Sequence, residues 1–233
     1  MSKILLVATA ADSLTLADGS EHATGFWAEE LVVAHRELTA AGHDVVIATP
    51  GGKAAPVDPG SLAVANVGSE EAVAELSSYL DGIAAELKAP LALNEAKASD
   101  YAAIVLPGGH GPMTDLAFDA TLGAILIEAN DNGTVIAPFC HGPAGLLSAS
   151  QPDGSFAFAG RKLTVFTDEE ERTGGLGDNT PWFVASKLRE QGAVTEAGAA
   201  WSSFVVRDGN LISGQNPQSS AAVAAAVVEA LQA

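Results

Sequence analysis

The chain has 233 residues, 48% of them apolar, and a single α/β domain spanning 1–233 is the simplest way to bury a core of that size. Its 29 Asp and Glu against 11 Lys and Arg give a formal charge of −18, which repels nucleic acid and anionic lipid and sets both aside as partners. A lone cysteine, Cys140, permits neither an internal disulfide nor a thiolate-rich zinc cage, so a reducing, cytoplasmic setting is expected and the thiol is either packing or chemistry.

The opening run Ile4 to Ala8 follows a single Lys and is too short for a signal-peptide core, so it reads as a buried first strand. No run approaches the roughly 18 apolar residues that span a bilayer. Further strand-length apolar runs follow at Val45 to Ala48, Ala103 to Leu106 and Val135 to Phe139. Helical patterns alternate with them at Gly25 to Ala41, Glu70 to Leu87, Leu116 to Asn130, Pro181 to Glu190 and Ser219 to Leu231, with Gly42 and Gly192 as stops. This alternation predicts βαβ units and a mostly parallel sheet covered on both faces. The stretch Pro50 to Val67 reads as an irregular connection, and Phe204 to Ile212, around Asp208-Gly209, as a β-hairpin. The segment Glu70 to Ser99 reads either as a small cap over the site or as ordinary surface helices. In open parallel sheets ligands sit beyond the carboxyl ends of the strands, so the loops after these runs are where the chemistry is expected.

The run Val135-Ile136-Ala137-Pro138-Phe139-Cys140-His141-Gly142-Pro143 carries an apolar strand straight into Cys-His-Gly and a small-residue helix start. A thiol at such a turn meets backbone N–H groups and the positive end of a helix, which lower its pKa. The His141 N–H is placed to donate to an oxyanion, and the second half of an oxyanion site is expected from Gly108, Gly109 and His110 in Pro107-Gly108-Gly109-His110-Gly111.

Two acidic segments supply partners. At 100° per residue Glu30 falls with Trp27 and Ala34 on the inward face, whereas Glu29 falls with Arg36 on a solvated one. A carboxyl in apolar surroundings has a raised pKa and serves as a proton shuttle near neutrality. The second segment, Phe166-Thr167-Asp168-Glu169-Glu170-Glu171-Arg172, offers a carboxylate to orient His141, and the residues alone do not choose between Glu170 and Glu171. All five histidines, at 22, 35, 43, 110 and 141, lie at or before His141, with no local His-carboxylate cluster of the metal-binding kind and no phosphate-loop motif.

With Thr24-Gly25-Phe26-Trp27-Ala28-Glu29-Glu30, Leu106-Pro107-Gly108-Gly109-His110-Gly111, Ala137-Pro138-Phe139-Cys140-His141-Gly142-Pro143, Phe166-Thr167-Asp168-Glu169-Glu170-Glu171 and Gly214-Gln215-Asn216-Pro217-Gln218-Ser219-Ser220, the chain resembles the ThiJ/PfpI superfamily. Within it, the chain is similar to the branch of heat-inducible chaperones and glutathione-independent glyoxalases. The resemblance implies a flavodoxin-like three-layer α/β sandwich, shared with class I glutamine amidotransferase domains, with a cap-like insertion at about residues 50–99. It implies Cys140 as nucleophile, Glu30 as the proton-handling carboxylate, Glu171 as the acid on His141, and Gly109 and His141 as oxyanion donors. Conversion of methylglyoxal and related 2-oxoaldehydes to 2-hydroxy acids such as D-lactate, without cofactor or metal, is the implied activity. Cysteine hydrolase or deglycase activity is the alternative within enzymes, and a holdase chaperone or redox sensor the alternative outside them. A homodimer is the implied assembly. The His-x-Glu pair that glutaminase relatives carry downstream of the nucleophile is missing, which disfavours glutamine hydrolysis.

Overall fold

The computed structural model describes residues 1–232. In chain order its elements are β1 (Lys3–Val7), β2 (Ser13–Thr15), β3 (Glu21–Ala23), α1 (Ala28–Ala40), β4 (Asp44–Thr49), α2 (Val64–Val67), α3 (Glu70–Gly82), α4 (Ala84–Lys88), β5 (Leu91–Ala92), β6 (Ala103–Leu106), α5 (Ala120–Asp131), β7 (Val135–Pro138), β8 (Lys162–Leu163), α6 (Asp168–Gly174), α7 (Val184–Glu190), β9 (Val194–Thr195), β10 (Val205–Asp208), β11 (Leu211–Gly214) and α8 (Ser220–Gln232). The central sheet has seven strands in the order β10-β11-β7-β6-β1-β4-β5, and only β10, paired antiparallel with β11 in a hairpin, departs from the parallel arrangement. This is the mostly parallel α/β sandwich expected from the alternation of strand and helix patterns.

The period-two geometry of strands sorts the core onto two faces. Leu5 and Val7 of β1, Ile104 and Leu106 of β6 and Ile136 of β7 meet Leu122 and Leu126 of α5 and Leu188 of α7. Ile4 and Leu6, Ala103 and Val105, and Val135 and Ala137 point the other way, toward Leu31 and Leu38 of α1 and Val223 and Val227 of α8. Because the inner strands are covered on both faces, they read as unbroken apolar runs.

Departures from the expected boundaries have local causes. Helix α1 starts at Ala28 rather than Gly25 because Gly25 and Phe26 are extended against the 56–57 segment: Phe26 N–H donates to Pro56 O, and a side chain at Gly25 would strike that same carbonyl. Helix α5 starts at Ala120 because Asp119 caps it, accepting from Leu122 N–H, so Leu116–Phe118 form a separate 3₁₀ turn. The expected helix from 70 to 87 breaks at Ile83 into α3 and α4. The stretch expected to be irregular holds α2, whose residues Ala65 and Asn66 reach the cleft described below, while α3 packs on α1 as a surface helix.

Candidate active site

Register places the site. Strands β6 and β7 are parallel neighbours with Leu106 opposite Pro138, so the loops leaving them, Pro107 to Gly111 and Phe139 to His141, emerge side by side. Phe139 N–H donates to Leu106 O at 3.1 Å and keeps them in contact. Trp27 N–H donates to Gly108 O at 3.0 Å, which pins the first turn of α1 over the same loop and lets Glu30 reach back into it.

Cys140 occupies the left-handed region at φ 54°, where a non-glycine residue is strained. Both of its backbone groups are fixed: its N–H donates to Gly214 O and its carbonyl accepts from Phe166 N–H, each at 2.9 Å. This turn aims the side chain into a cleft of about 270 Å³ whose walls include Trp27, Gly109, His141, Phe166 and Trp201. The chain after it, Gly142–Ser148, forms 3₁₀ turns rather than the expected α-helix, with Pro143 in the first turn.

Glu30 is fully buried on the inward face of α1. Its Oε2 accepts from Gly108 N–H at 2.5 Å, while Oε1 has no hydrogen-bond partner of normal geometry among the described residues. Burial pushes its pKa to about 8, and the nearby Cys140 thiol and the Gly108 N–H temper that rise. The Gly108 N–H is therefore committed to Glu30 and is not free for an oxyanion. Glu29 sits half-buried at the cleft wall with its pKa raised by burial, and Arg36 pairs with Glu37 instead of Glu29.

The expectation of a lowered thiol pKa is corrected. Burial raises the Cys140 pKa well above the ordinary thiol value, and the charge of Glu30 raises it further. The N–H groups of His141 and Gly109 act in the opposite direction without prevailing. The sequence signals an N–H-rich turn but not the desolvation, and the α-helix whose dipole was to help is absent. Thiol and carboxyl thus form a buried, interacting pair of acids, both raised above their ordinary values, and the first proton to leave belongs to the pair.

On the other side of the sulfur, His141 Nδ1 lies 3.3 Å from Sγ and Nε2 lies 2.6 Å from Glu171 Oε2. Burial, and then the neighbouring His110, lower the His141 pKa against the pull of Glu171, so the imidazole is neutral at pH 7. Burial of Glu171 alone would raise its pKa, but His141 and the His110 hydrogen bond hold it below the carboxylate range. The ionised carboxylate takes the Nε2–H, which leaves the Nδ1 lone pair facing the thiol.

Of the two glutamates that the sequence left open, Glu171 contacts His141. Glu170 instead closes a capping box with Thr167 and accepts from Trp201 N–H, Gln215 Nε2 and Asn216 Nδ2. His110 is in the site through its ring: Nε2 lies 3.1 and 3.3 Å from the two Glu171 oxygens, and its ring centroid is 4.2 Å from that of His141. Sequence reasoning missed this sharing of one carboxylate by two imidazoles, because His110, in the loop after β6, and Glu171, on α6, stand far apart in the chain. Phe166 stacks on His141 at 4.5 Å, and Trp201, itself at φ 62°, packs edge-on against Phe166 at 5.6 Å. No sequence signal marked Trp201.

A buried cysteine, a neutral imidazole oriented by a carboxylate, and a raised-pKa carboxyl at one strand-end turn can form and break bonds to a carbonyl carbon. The DJ-1/PfpI family model matches residues 22–230. The chain belongs to the DJ-1/PfpI family. It is 27% identical over 228 residues to the protein/nucleic acid deglycase HchA of Pseudomonas aeruginosa (strain UCBPP-PA14), covering 94% of this chain and 77% of that one. Among solved structures, it is similar to the 24 kDa Rapid Encystment Protein of Francisella tularensis, with a TM-score of 0.87, 27% identity and coverage of 99% of each chain. It is also similar to glyoxalase III of Candida albicans, with a TM-score of 0.82, 25% identity and coverage of 98% of this chain and 97% of that one. DJ-1/PfpI and ThiJ/PfpI denote the same family, so the resemblance read from the motifs and the family match agree.

Proposed function

We propose that this protein is a glutathione-independent glyoxalase that converts methylglyoxal and related 2-oxoaldehydes to 2-hydroxy acids, D-lactate in the case of methylglyoxal. The observation that carries this reading is the placement of the Glu30 carboxyl and the Cys140 side chain against one residue, Gly108. An internal redox reaction of a 2-oxoaldehyde needs a nucleophile for the aldehyde carbon and one acid-base group able to lift a proton from that carbon and set it on the next.

In the form of the pair that holds one proton, Glu30 takes the S–H proton as sulfur attacks the aldehyde carbon, C1, and returns it to the developing oxygen, leaving a hemithioacetal. Glu30 then removes the hydrogen on C1 as a proton, and the C–H electron pair becomes the C1–C2 double bond of an enediol. Protonation at C2 by Glu30, with transfer of the C1 hydroxyl proton to the C2 oxygen, gives a 2-hydroxyacyl thioester. Water, deprotonated by His141 Nδ1, attacks the thioester; the C–S bond breaks, the 2-hydroxy acid leaves, and the thiol regains its proton. The backbone N–H groups of Gly109 and His141 face the charge that develops on oxygen.

The Cys140, His141 and Glu171 geometry also suits acyl transfer, and the deglycase named among the relatives favours that as a second reading. A panel of methylglyoxal, glycated peptide and glutamine, incubated with purified protein without glutathione and followed by product analysis, separates the two. Lactate from methylglyoxal at a rate abolished in Cys140→Ala supports the glyoxalase, whereas turnover of the glycated peptide alone rejects it.

A further inference from the structure

Beside the catalytic cleft lies a second cavity of about 310 Å³, which shares with it the walls formed by Trp27, Asn66 and His110. His22, Asp58 and His110 line it, and one donor atom from each lies within 4.8 Å of the other two. They come from three separate segments: the β2–β3 hairpin, the connection after β4 and the loop after β6. From these residues we infer a binding site for a first-row divalent transition metal of the zinc class, held by two imidazoles and one carboxylate.

Each donor is prepared for the task. His110 presents Nε2 to both oxygens of Glu171, so Nδ1 is the nitrogen left to bind, and a carboxylate behind a ligating imidazole fixes its tautomer and ring orientation. Asp58 is buried and anchored: Oδ2 accepts from Thr24 Oγ1 and Oδ1 from Gly60 N–H, each at 2.7 Å, and each oxygen keeps a lone pair. His22 is half-buried, stands edge-on to His110 with ring centroids 6.0 Å apart, and has neither ring nitrogen in a hydrogen bond among the described residues. Two histidines and a carboxylate with cavity space in front of them are a donor set that leaves coordination positions open to water or a small ligand.

The competing trio, His110 with His141 and Glu171, is also compact. There the Nε2 of both imidazoles already meets the carboxylate, so a metal would have to break both hydrogen bonds and displace the group that orients His141. The His22 site requires no such loss. This inference also departs from the sequence expectation of no metal, because residues at 22, 58 and 110 form no local motif.

The test is calorimetric titration of Zn²⁺ into the chelator-treated full-length protein, with Co²⁺ absorption as a second probe. One ion per chain is expected, with affinity reduced at least tenfold in His22→Ala and in Asp58→Asn and unchanged in Cys140→Ala. Asp58→Asn disturbs a buried turn, so His22→Ala, on a peripheral hairpin and outside the catalytic cleft, is the decisive variant, with its melting temperature as the check on folding. Binding by His22→Ala equal to wild type, loss of binding in Cys140→Ala, or no saturable binding by wild type would each overturn the site. The readout is binding, not turnover, so its failure leaves the glyoxalase reading untouched.

Discussion

Glu30 and Cys140 touch through a single glycine: a methyl group placed at Gly108 would come 3.1 Å from Oε2 of Glu30 and 3.0 Å from Cβ of Cys140. The same methyl would lie 2.5 Å from the His141 backbone nitrogen. The Cys140 side chain, the Glu30 carboxyl and the His141 backbone nitrogen therefore meet at a point where only hydrogen fits, and the chemistry proposed depends on that closeness.

Gly108→Ala is accordingly expected to separate the pair. Overpacking at a rigid backbone site destabilises by about 1–3 kcal/mol, which thermal melting will register. The expected drop in kcat, at least tenfold, exceeds what the lost stability explains, since the variant remains folded at assay temperature. A variant of unchanged kcat would show that the contact between Glu30 and Cys140 is incidental.

The raised Glu30 pKa has two signatures. Its folded value, about 8, lies above the ordinary 4.5, so the folded state keeps a proton that the unfolded state has released. The associated stability is fully present below the ordinary carboxylate range and is lost as pH rises through about 8. Each tenfold gain in proton affinity on folding corresponds to ~1.4 kcal/mol, which for a fully buried carboxyl held this far above its ordinary value comes to a few kcal/mol. Melting temperature should therefore decline from pH 5 to 8 more steeply in wild type than in Glu30→Gln. For turnover the sign is reversed: kcat/KM should rise with pH as the pair loses its first proton, with an apparent pKa near 8. A profile flat between pH 6 and 9 would contradict the assignment.

Glu170 and Glu171 should part in their effects. Glu171→Ala removes the acceptor of His141 Nε2–H and frees the ring to choose the wrong tautomer, so activity should fall by a factor of the order of 10²–10⁴. Glu170→Ala leaves the donors of Trp201, Gln215 and Asn216 without their shared acceptor, and each such group costs about 1–3 kcal/mol. It should lower the melting temperature sharply while the surviving folded fraction keeps its kcat. Activity assays and melting curves on the two variants, side by side, check this.

The parallel sheet is legible in the sequence because fully buried strands appear as short apolar runs, and Glu30 can be placed inward because helical periodicity puts it with Trp27 and Ala34. Glu170 and Glu171 cannot be told apart there, since a capping box and the contact to His141 use adjacent positions of the same short helix. What the sequence hides are relationships between segments far apart in the chain: His110 on Glu171, His22 near His110, Trp201 over Phe166. The thiol runs against its expectation for a related reason. Backbone donors at a turn are visible in a motif, whereas desolvation depends on Glu30 and the rest of the cleft closing around the sulfur.

Intact-protein mass spectrometry during reaction with methylglyoxal, on wild type, Glu30→Gln and Cys140→Ala, tests most directly whether Cys140 bonds to the aldehyde and Glu30 then moves the proton. Glu30→Gln should accumulate a Cys140 adduct and yield lactate on the order of 10²–10⁴-fold more slowly, while Cys140→Ala forms no adduct at the site and yields none. Lactate produced at the wild-type rate by either variant would contradict that sequence of steps.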